Sequence, residues 1–395
     1  MTATLPEFPM PRSHPLDPPP RYRELSGERP VFKVRTPRGD AWVVTRHEDV
    51  RAVLTDRAFS SDPRTPGFPT YVTGDVPPPP GFFMQADAPD HGRLRRTVTR
   101  EFLIGRMDAL RPTMRSILDR LVDEMTADGR RSADLVRQFA LPMAAMTICE
   151  ILGVPFEDHV VFVSLTDTVL DRTSPPEQAE RAAGELMGYF DRLVSSKEQH
   201  PSSDLFGRMV TRSADGGPDH AELVGMAALL LLAGYDTMAQ MIGLGAATLF
   251  ENPDQLAELR RDATLWPGAV EELLRYLSIN HAGLPRAAVR DVVVGGRPIR
   301  AGDGVLVMLN AANRDQSVFD DADTFDIHRT HNRHVAFGHG FHKCVGSTLA
   351  RVELTETFRG LFERLPGLRP STPVEHLPFR HDMVLYGVRE LPVTW

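Results

Sequence analysis

Lysine is nearly missing from this 395-residue chain: Lys33, Lys197 and Lys343 are the only three among 45 basic residues, and the rest are arginines. That bias carries no chemistry of its own. Cysteine is scarcer still. Cys149 and Cys344 lie far apart, which excludes a disulfide framework or a CxxC metal site and fits a reduced, cytoplasmic protein. Positive charge is not in excess, the formal net charge being -8. A broad nucleic-acid-binding surface is thereby excluded, since it needs clustered cations to displace counterions from phosphates. Long hydrophobic runs are missing too. The most apolar stretch, 223–234, has 12 residues, against the ~20 that cross a bilayer as a helix. The amino terminus has neither the basic nor the apolar region of a secretory signal. Neither a membrane nor a nucleic acid is expected as a partner.

What is present is an ordinary globular composition, 42% hydrophobic and 25% charged. The prolines of MTATLPEFPMPRSHPLDPPP predict an extended arm over about residues 1–20. Residues 31–45 read as a β-hairpin, followed by a short helix over 48–54. Residues 56–86 are rich in Pro, Gly, Ser and Thr and lack periodicity, the pattern of a long functional loop. Residues 90–250 are helical in pattern, with breaks at Gly129, Gly153, Pro175 and Gly216. Asn252-Pro253 and Trp266-Pro267 read as helix starts, and 291–310 switches to strand and turn chemistry. A last helix is predicted from about 345 to 364, then an extended tail. The fold class is mainly α with a minor β part. Because no linker separates two cores, 1–395 reads as one domain.

Four features carry chemistry. FGHGFHKCVG, residues 337–346, places Cys344 at the predicted start of the last helix. A helix dipole favours a thiolate there, and glycines let the backbone approach a flat ligand. From these residues alone Cys344 is a structural cysteine, a nucleophile or a metal ligand. Cys149, in the apolar MAAMTICEILGV, reads as core. The second feature is LLLLAGYDTMAQ, residues 229–240. Asp219 and Glu222 form a capping-box signature, so a helix is predicted from His220 to about Glu251, roughly 48 Å long. Its middle is apolar on every face and hence buried, yet it holds Gly234, Asp236 and Thr237 at a cost in stability. Two readings are open. Either Gly234 makes room for a diatomic while Thr237 holds a water, or Thr237 bonds the carbonyl of Ala233 and Asp236 reaches the surface.

The third feature is Glu272 with Arg275, which share a helix face at i, i+3. By itself it reads as an exposed pair worth only about 0.3–0.5 kcal/mol. In the fourth, DHGRLRRTVTR over 90–100, His91 and Arg95 fall on one face while Arg93, Arg96 and Arg100 cluster opposite.

The run Phe337 to Gly346 resembles the haem-binding signature of the cytochrome P450 superfamily, the haem-thiolate monooxygenases. It retains Phe337, Gly338, Gly340, His342, Cys344 and Gly346, and the resemblance spans about residue 30 to the terminal LPVTW. It implies a cytochrome P450 fold, with the long helix over a haem b (iron protoporphyrin IX) and Cys344 as the iron ligand, framed by Phe337, Gly338 and Gly346. Ala233-Gly234-Tyr235-Asp236-Thr237 resembles the family's oxygen-activation motif. By this likeness Ala233 and Gly234 face the haem, Thr237 helps deliver protons to oxygen, and Asp236 relays them from solvent. Met238 stands where many relatives have a second Thr. His91, Arg95, Arg286 and His342 match positions that pair with haem propionates, a task suited to planar guanidinium groups. Glu272 and Arg275 match a buried structural network.

The implied activity is insertion of one atom of O2 into a small organic molecule or short peptide, as hydroxylation in natural-product tailoring. Electrons would come from NAD(P)H through a ferredoxin reductase and a ferredoxin. The ferredoxin would dock on the outer arginines with Lys343 and Arg106. The implied substrate lining is Phe82, Phe83, Leu230, Ala233, Ile279 to Leu284, Met383 and Val384. A rival reaction is oxidative coupling of aromatic rings by the same haem. Rivals of other kinds are a non-catalytic haem sensor, which would not need Asp236 and Thr237, and a cysteine hydrolase, which would carry no chromophore.

Overall fold

The computed structural model describes residues 5–28, 30–37, 39–69, 77–155, 158–171, 173–213, 216–381 and 383–395. The start of the proline-rich arm and residues 70–76 of the irregular 56–86 segment lie outside the described residues. The chain folds as two compact units, each built from several stretches of sequence.

The first unit draws on Met1–Thr73, Thr248–Cys344 and Val384–Tyr386. Its frame is a five-stranded sheet in the order Val31–Thr36, Gly39–Val44, Gly304–Val307, Leu284–Ala288, Phe59–Ser60. The hairpin pairs Val31 with Val44, and Gly304–Val307 adds to it in parallel, with Ala41 opposite Gly304. Successive side chains point to opposite faces, and both faces are covered. Val31, Val44 and Val305 lie in one cluster with Val50 and Leu54 of the helix His47–Thr55. Phe32, Val34 and Val43 lie in another with Phe8, Met10 and Tyr22. The described part of the amino-terminal arm is therefore packed onto the sheet. The amide of Phe8 donates to the carbonyl of Arg35 at 3.0 Å, and that of Arg35 to Pro6 at 2.8 Å. Prolines favour the extended backbone that such edge pairing uses. The helices Pro253–Arg261 and Trp266–Leu277 start at the two expected prolines.

The second unit comprises Gly74–Ala247, Val345–Met383 and Gly387–Trp395. The helix His220–Glu251 runs through it as far as Ala247. The expected capping box is formed: the Asp219 amide donates to Glu222 Oε2 at 3.1 Å and the Glu222 amide to Asp219 Oδ1 at 2.9 Å. By length and composition this helix could cross a membrane, but 78% of its apolar window is buried within the protein, as befits a core helix. Close packing explains much of its composition. A Cβ at Gly245 would meet the Phe358 ring at 2.4 Å, and one at Gly234 would meet Ile148 Cδ1 at 2.6 Å. The space at Gly234 is thus taken up by the neighbouring helix Leu141–Leu152, so the structure gives this glycine a packing role. Helices Arg111–Thr126 and Ser347–Arg364 pack together. A small sheet joins Ser132–Asp134, Pro392–Thr394 and Arg369–Pro370.

Candidate active site

In the first unit, Cys344 ends a loop whose shape is set by hydrogen bonds and two left-handed glycines. Gly338 has φ +69° and Gly340 φ +68°. A side chain at 340 would also drive its Cβ to 2.4 Å from the Leu54 carbonyl oxygen, so only glycine fits. The Gly338 amide donates to Val335 at 2.8 Å, and the Cys344 amide to Phe337 at 2.9 Å. The thiol is exposed. The sequence placed Cys344 at the first turn of the last helix. That helix instead begins at Ser347 with Gly346 as its cap. The amide of Cys344 closes the loop rather than entering a helix, so the helix dipole is a weaker influence on the sulfur than expected.

The loop is anchored to the Glu272–Arg275 pair, which is buried as the family resemblance implied and not exposed as the local residues alone suggested. Both side chains are 0% exposed. Arg275 donates from Nε and Nη2 to Glu272 at 2.8 and 2.7 Å, and to the carbonyls of Asn313, Ala322 and Thr324 at 2.9, 2.7 and 2.9 Å. Those five bonds use all five guanidinium N–H groups. Asn313, its backbone so held, accepts the Val335 amide on Oδ1 at 2.7 Å and donates from Nδ2 to Ser278 Oγ at 2.7 Å. A buried ion pair thereby fixes the start of the cysteine loop through one asparagine. Asn313 and Ser278 were not singled out in the sequence, where nothing marks them.

Other predicted residues of this unit are placed as follows. Arg286 is buried, with Nη1 donating to the Pro285 carbonyl at 2.7 Å. His342 and Phe337 are half-buried, and the Phe337 ring lies 6.0 Å from that of His334. Ile279, Leu284 and Val384 are half-buried.

In the second unit the middle of the long helix is buried except for one patch. Ala233 is exposed and Leu232, Gly234 and Thr237 are half-buried. Thr237 Oγ1 donates to the Ala233 carbonyl at 2.6 Å, the plainer of the two arrangements open to it. Asp236 does not reach the surface. It is fully buried and paired with Arg380, whose Nη1 donates to Oδ1 at 2.6 Å, while Gln240 Nε2 donates to the same oxygen at 2.9 Å. Arg380 was missed because its segment, LPFRHDM, carries no local signal pointing to residue 236.

His91 is buried, its ring 6.5 Å from Phe83, and Arg95 is half-buried one turn along the helix Asp90–Thr99. The outer basic cluster is smaller than expected. Arg93 is bound by both Nη groups to Glu222. Arg106 donates to Glu101 at 3.1 Å. Arg96 and Arg100 remain exposed. Glu101 is fully buried and also receives Arg208 and Arg212. Burial pushes its carboxyl up, but the bonds from Arg212 and Arg208 outweigh that and hold it below the usual range. Of the expected substrate lining, Phe83, Leu230 and Met383 are buried and Phe82 is half-buried.

The cysteine loop fits a haem. Among the described residues no three His, Cys, Asp or Glu side chains converge. A single exposed thiol on a rigid loop suits an iron whose remaining in-plane ligands belong to a macrocycle.

Residues 177–365 match the family model described as Cytochrome P450. The chain is similar to Cytochrome P450-SU2 of Streptomyces griseolus, at 46% identity over 384 residues covering 96% of this chain and 94% of that one. It is also similar to the 20-oxo-5-O-mycaminosyltylactone 23-monooxygenase of Streptomyces fradiae, at 41% identity covering 98% and 92%. The crystal structure of CYP105P1 in complex with filipin I superposes with a TM-score of 0.94 at 40% identity, covering 99% of both chains. The exposed thiol, its glycine-shaped loop and this similarity along almost the whole length lead to one assignment: the chain belongs to the cytochrome P450 family.

Proposed function

We propose that this chain is a soluble, cytoplasmic haem-thiolate monooxygenase that hydroxylates a small natural product, with residues 1–395 acting as one functional domain. The observation that carries the reading is Cys344, an exposed thiol on a loop braced by a buried ion pair. Names of relatives add support, since one is a monooxygenase of a macrolide-type molecule and another was crystallised with filipin I. When bound, the haem supplies an iron at which O2 is reduced and cleaved, chemistry that a thiolate ligand favours.

The chain's own residues supply the rest. Cys344 holds the iron, and Phe337, Gly338 and Gly346 shape the loop around the sulfur. Arg286, His342, His91 and Arg95 neutralise the propionates. Ala233 keeps the helix surface low where the substrate and oxygen lie, while Gly234 lets the neighbouring helix pack closely against the long one. Thr237 presents a hydroxyl, and Asp236 relays protons toward it from solvent. Phe82, Ile279, Leu284 and Val384 supply apolar lining, with Phe83, Leu230 and Met383 behind it. Electrons come from NAD(P)H through a reductase and a ferredoxin, and Arg96 and Arg100 offer charge to an acidic partner.

The test is a carbon-monoxide difference spectrum of the reduced protein. The expected result is the thiolate-type band in the wild type and its loss in Cys344→Ser, with the fold retained by circular dichroism. A wild type that stays colourless after haem supplementation overturns the reading. Product mass then separates hydroxylation, a gain of one oxygen, from ring coupling, a loss of two hydrogens.

A further inference from the structure

The amino-terminal arm reaches the stretches assigned to the substrate lining. Arg12 is half-buried, and its guanidinium carbon lies 3.8 Å from the centre of the Tyr386 ring. Its Nη1 donates to the Asp17 carbonyl, while Nη2 is buried without a hydrogen-bond partner. Burial pushes the guanidinium below its ordinary value. A cation stripped of water gains more from an aromatic face than an exposed one does, so the stack on Tyr386 is stronger here than at the surface. Pro11 and Pro15 flank Arg12, and their fixed φ leaves the arm little freedom to lose on folding.

Tyr386 in turn holds the lining. It is 1% exposed, its amide donates to the Ile279 carbonyl at 2.9 Å, and its ring lies 5.5 Å from that of His281. The same arm also holds the chain just before Ile279. Tyr276 Oη donates to Asp17 Oδ1 at 3.3 Å, and Arg314, 3.7 Å over the Tyr276 ring, donates to the same oxygen at 3.3 Å. Between Tyr276 and Ile279 the chain turns at Ser278, a non-glycine residue at φ +37°. Such a left-handed conformation persists only where its surroundings hold it. Ile279 is therefore gripped from two directions, through Tyr276 before the turn and through the backbone bond from Tyr386.

We propose that Arg12 is a positioning residue that sets substrate selectivity from outside the pocket: its stack on Tyr386 fixes the stretches 279–284 and 384–386 in the shape that a large substrate needs. Arg12 touches no substrate itself. The idea rests on the monooxygenase reading, in which Ile279, Leu284 and Val384 are lining. Without the cation, Tyr386 is free to tilt, and a large ligand must restore the lost order when it binds, which weakens its affinity. A small ligand that meets only the iron is unaffected.

The test compares two ligands of the ferric holoprotein by the absorption shift of an iron–nitrogen bond. Imidazole reports access to the iron. Clotrimazole, an imidazole carrying three aromatic rings, reports the lining as well. Arg12→Ala is expected to raise the clotrimazole Kd about five- to tenfold and to leave that of imidazole unchanged. Arg12→Lys, which keeps a cation over the ring, is expected to recover most of the difference. Arg12→Gln, which keeps a donor to Asp17 without the charge, is expected to behave as Arg12→Ala. Tyr386→Leu removes the ring, and Arg12→Ala/Tyr386→Leu is expected to bind clotrimazole no more weakly than the weaker single variant, since both break one contact.

A merely structural role would change both ligands' Kd values together. That outcome, an unchanged or lowered clotrimazole Kd in folded Arg12→Ala, or additive effects of the two substitutions overturns the proposal. If Arg12→Ala does not fold, Arg12→Gln decides. Ile279→Ala tests the lining itself, and an unchanged clotrimazole Kd there overturns the lining and the role of the arm with it. Absence of the carbon-monoxide band from the wild type would overturn the haem assignment, whereas its presence with unaltered clotrimazole binding in the Arg12 variants would overturn the role of the arm alone.

Discussion

Two buried arginine–carboxylate pairs in this protein look alike and differ in how fully they are satisfied. Glu272 and Arg275 sit one turn apart on a helix, and each is saturated. Beyond Arg275, Glu272 receives Arg329 at 3.2 Å, Asn332 at 3.1 Å and the Asp326 amide at 2.9 Å. Asp236 and Arg380 are 144 residues apart, share one short bond, and the arginine's other arm lies between two acids. Burial alone does not distinguish a saturated pair from a lightly held one. What distinguishes them is whether every donor already has its best acceptor. A saturated cation has nowhere better to go, and moving it would orphan several buried groups at once.

Arg275→Met is the most direct way to break the comparison. It takes two bonds from Glu272 and one from each of three carbonyls, and unfolding in urea should show a loss of about 3–5 kcal/mol. Haem retention should fall with it, because Asn313 then loses its hold on Val335. Glu101 offers a second saturated acid. Glu101→Gln leaves Arg106, Arg208 and Arg212 around a neutral amide and should cost about 2–3 kcal/mol near neutral pH. Because the folded carboxyl is held below its ordinary range, its contribution is complete above the unfolded-chain pKa and disappears as pH falls through the folded value. Wild type and Glu101→Gln unfolding curves should therefore converge in acid.

Arg380→Met should be milder, about 1–2 kcal/mol, because it removes one short bond while Gln240 still donates to Asp236. An equal loss from Arg275→Met and Arg380→Met in the same urea titration would erase the distinction. Gly387→Ala should have the smallest effect, about 1 kcal/mol, since a Cβ there would lie 1.8 Å from Gln240 Oε1 and the flexible tip of Gln240 can move aside.

Much of the fold was legible because its signals are local. Asp219 and Glu222 announced a helix start that the reciprocal bonds realise. Prolines 253 and 267 marked two more, and β-branched residues marked the hairpin. At the site, the run around Cys344 was visible because its glycines, aromatic and thiol are adjacent in the chain. Readings open to the residues alone went astray for one cause. An exposed Glu272–Arg275 pair, a surface-reaching Asp236 and an outer-patch Arg93 follow from neighbours within a few residues, and the family resemblance already pointed to a buried network for the first; their partners or burial come from distant segments.

The order of elements, the cysteine and its loop, and the chemical character of the long helix were determined by the sequence alone, since each follows from residues within a few turns of one another. Only the tertiary structure decided that Arg275 braces the cysteine loop through Asn313, that Ile148 fills the space at Gly234, and that Arg380 lies between two acids. Those outcomes depend on desolvation and on which distant groups meet in it, and neither can be read along the chain.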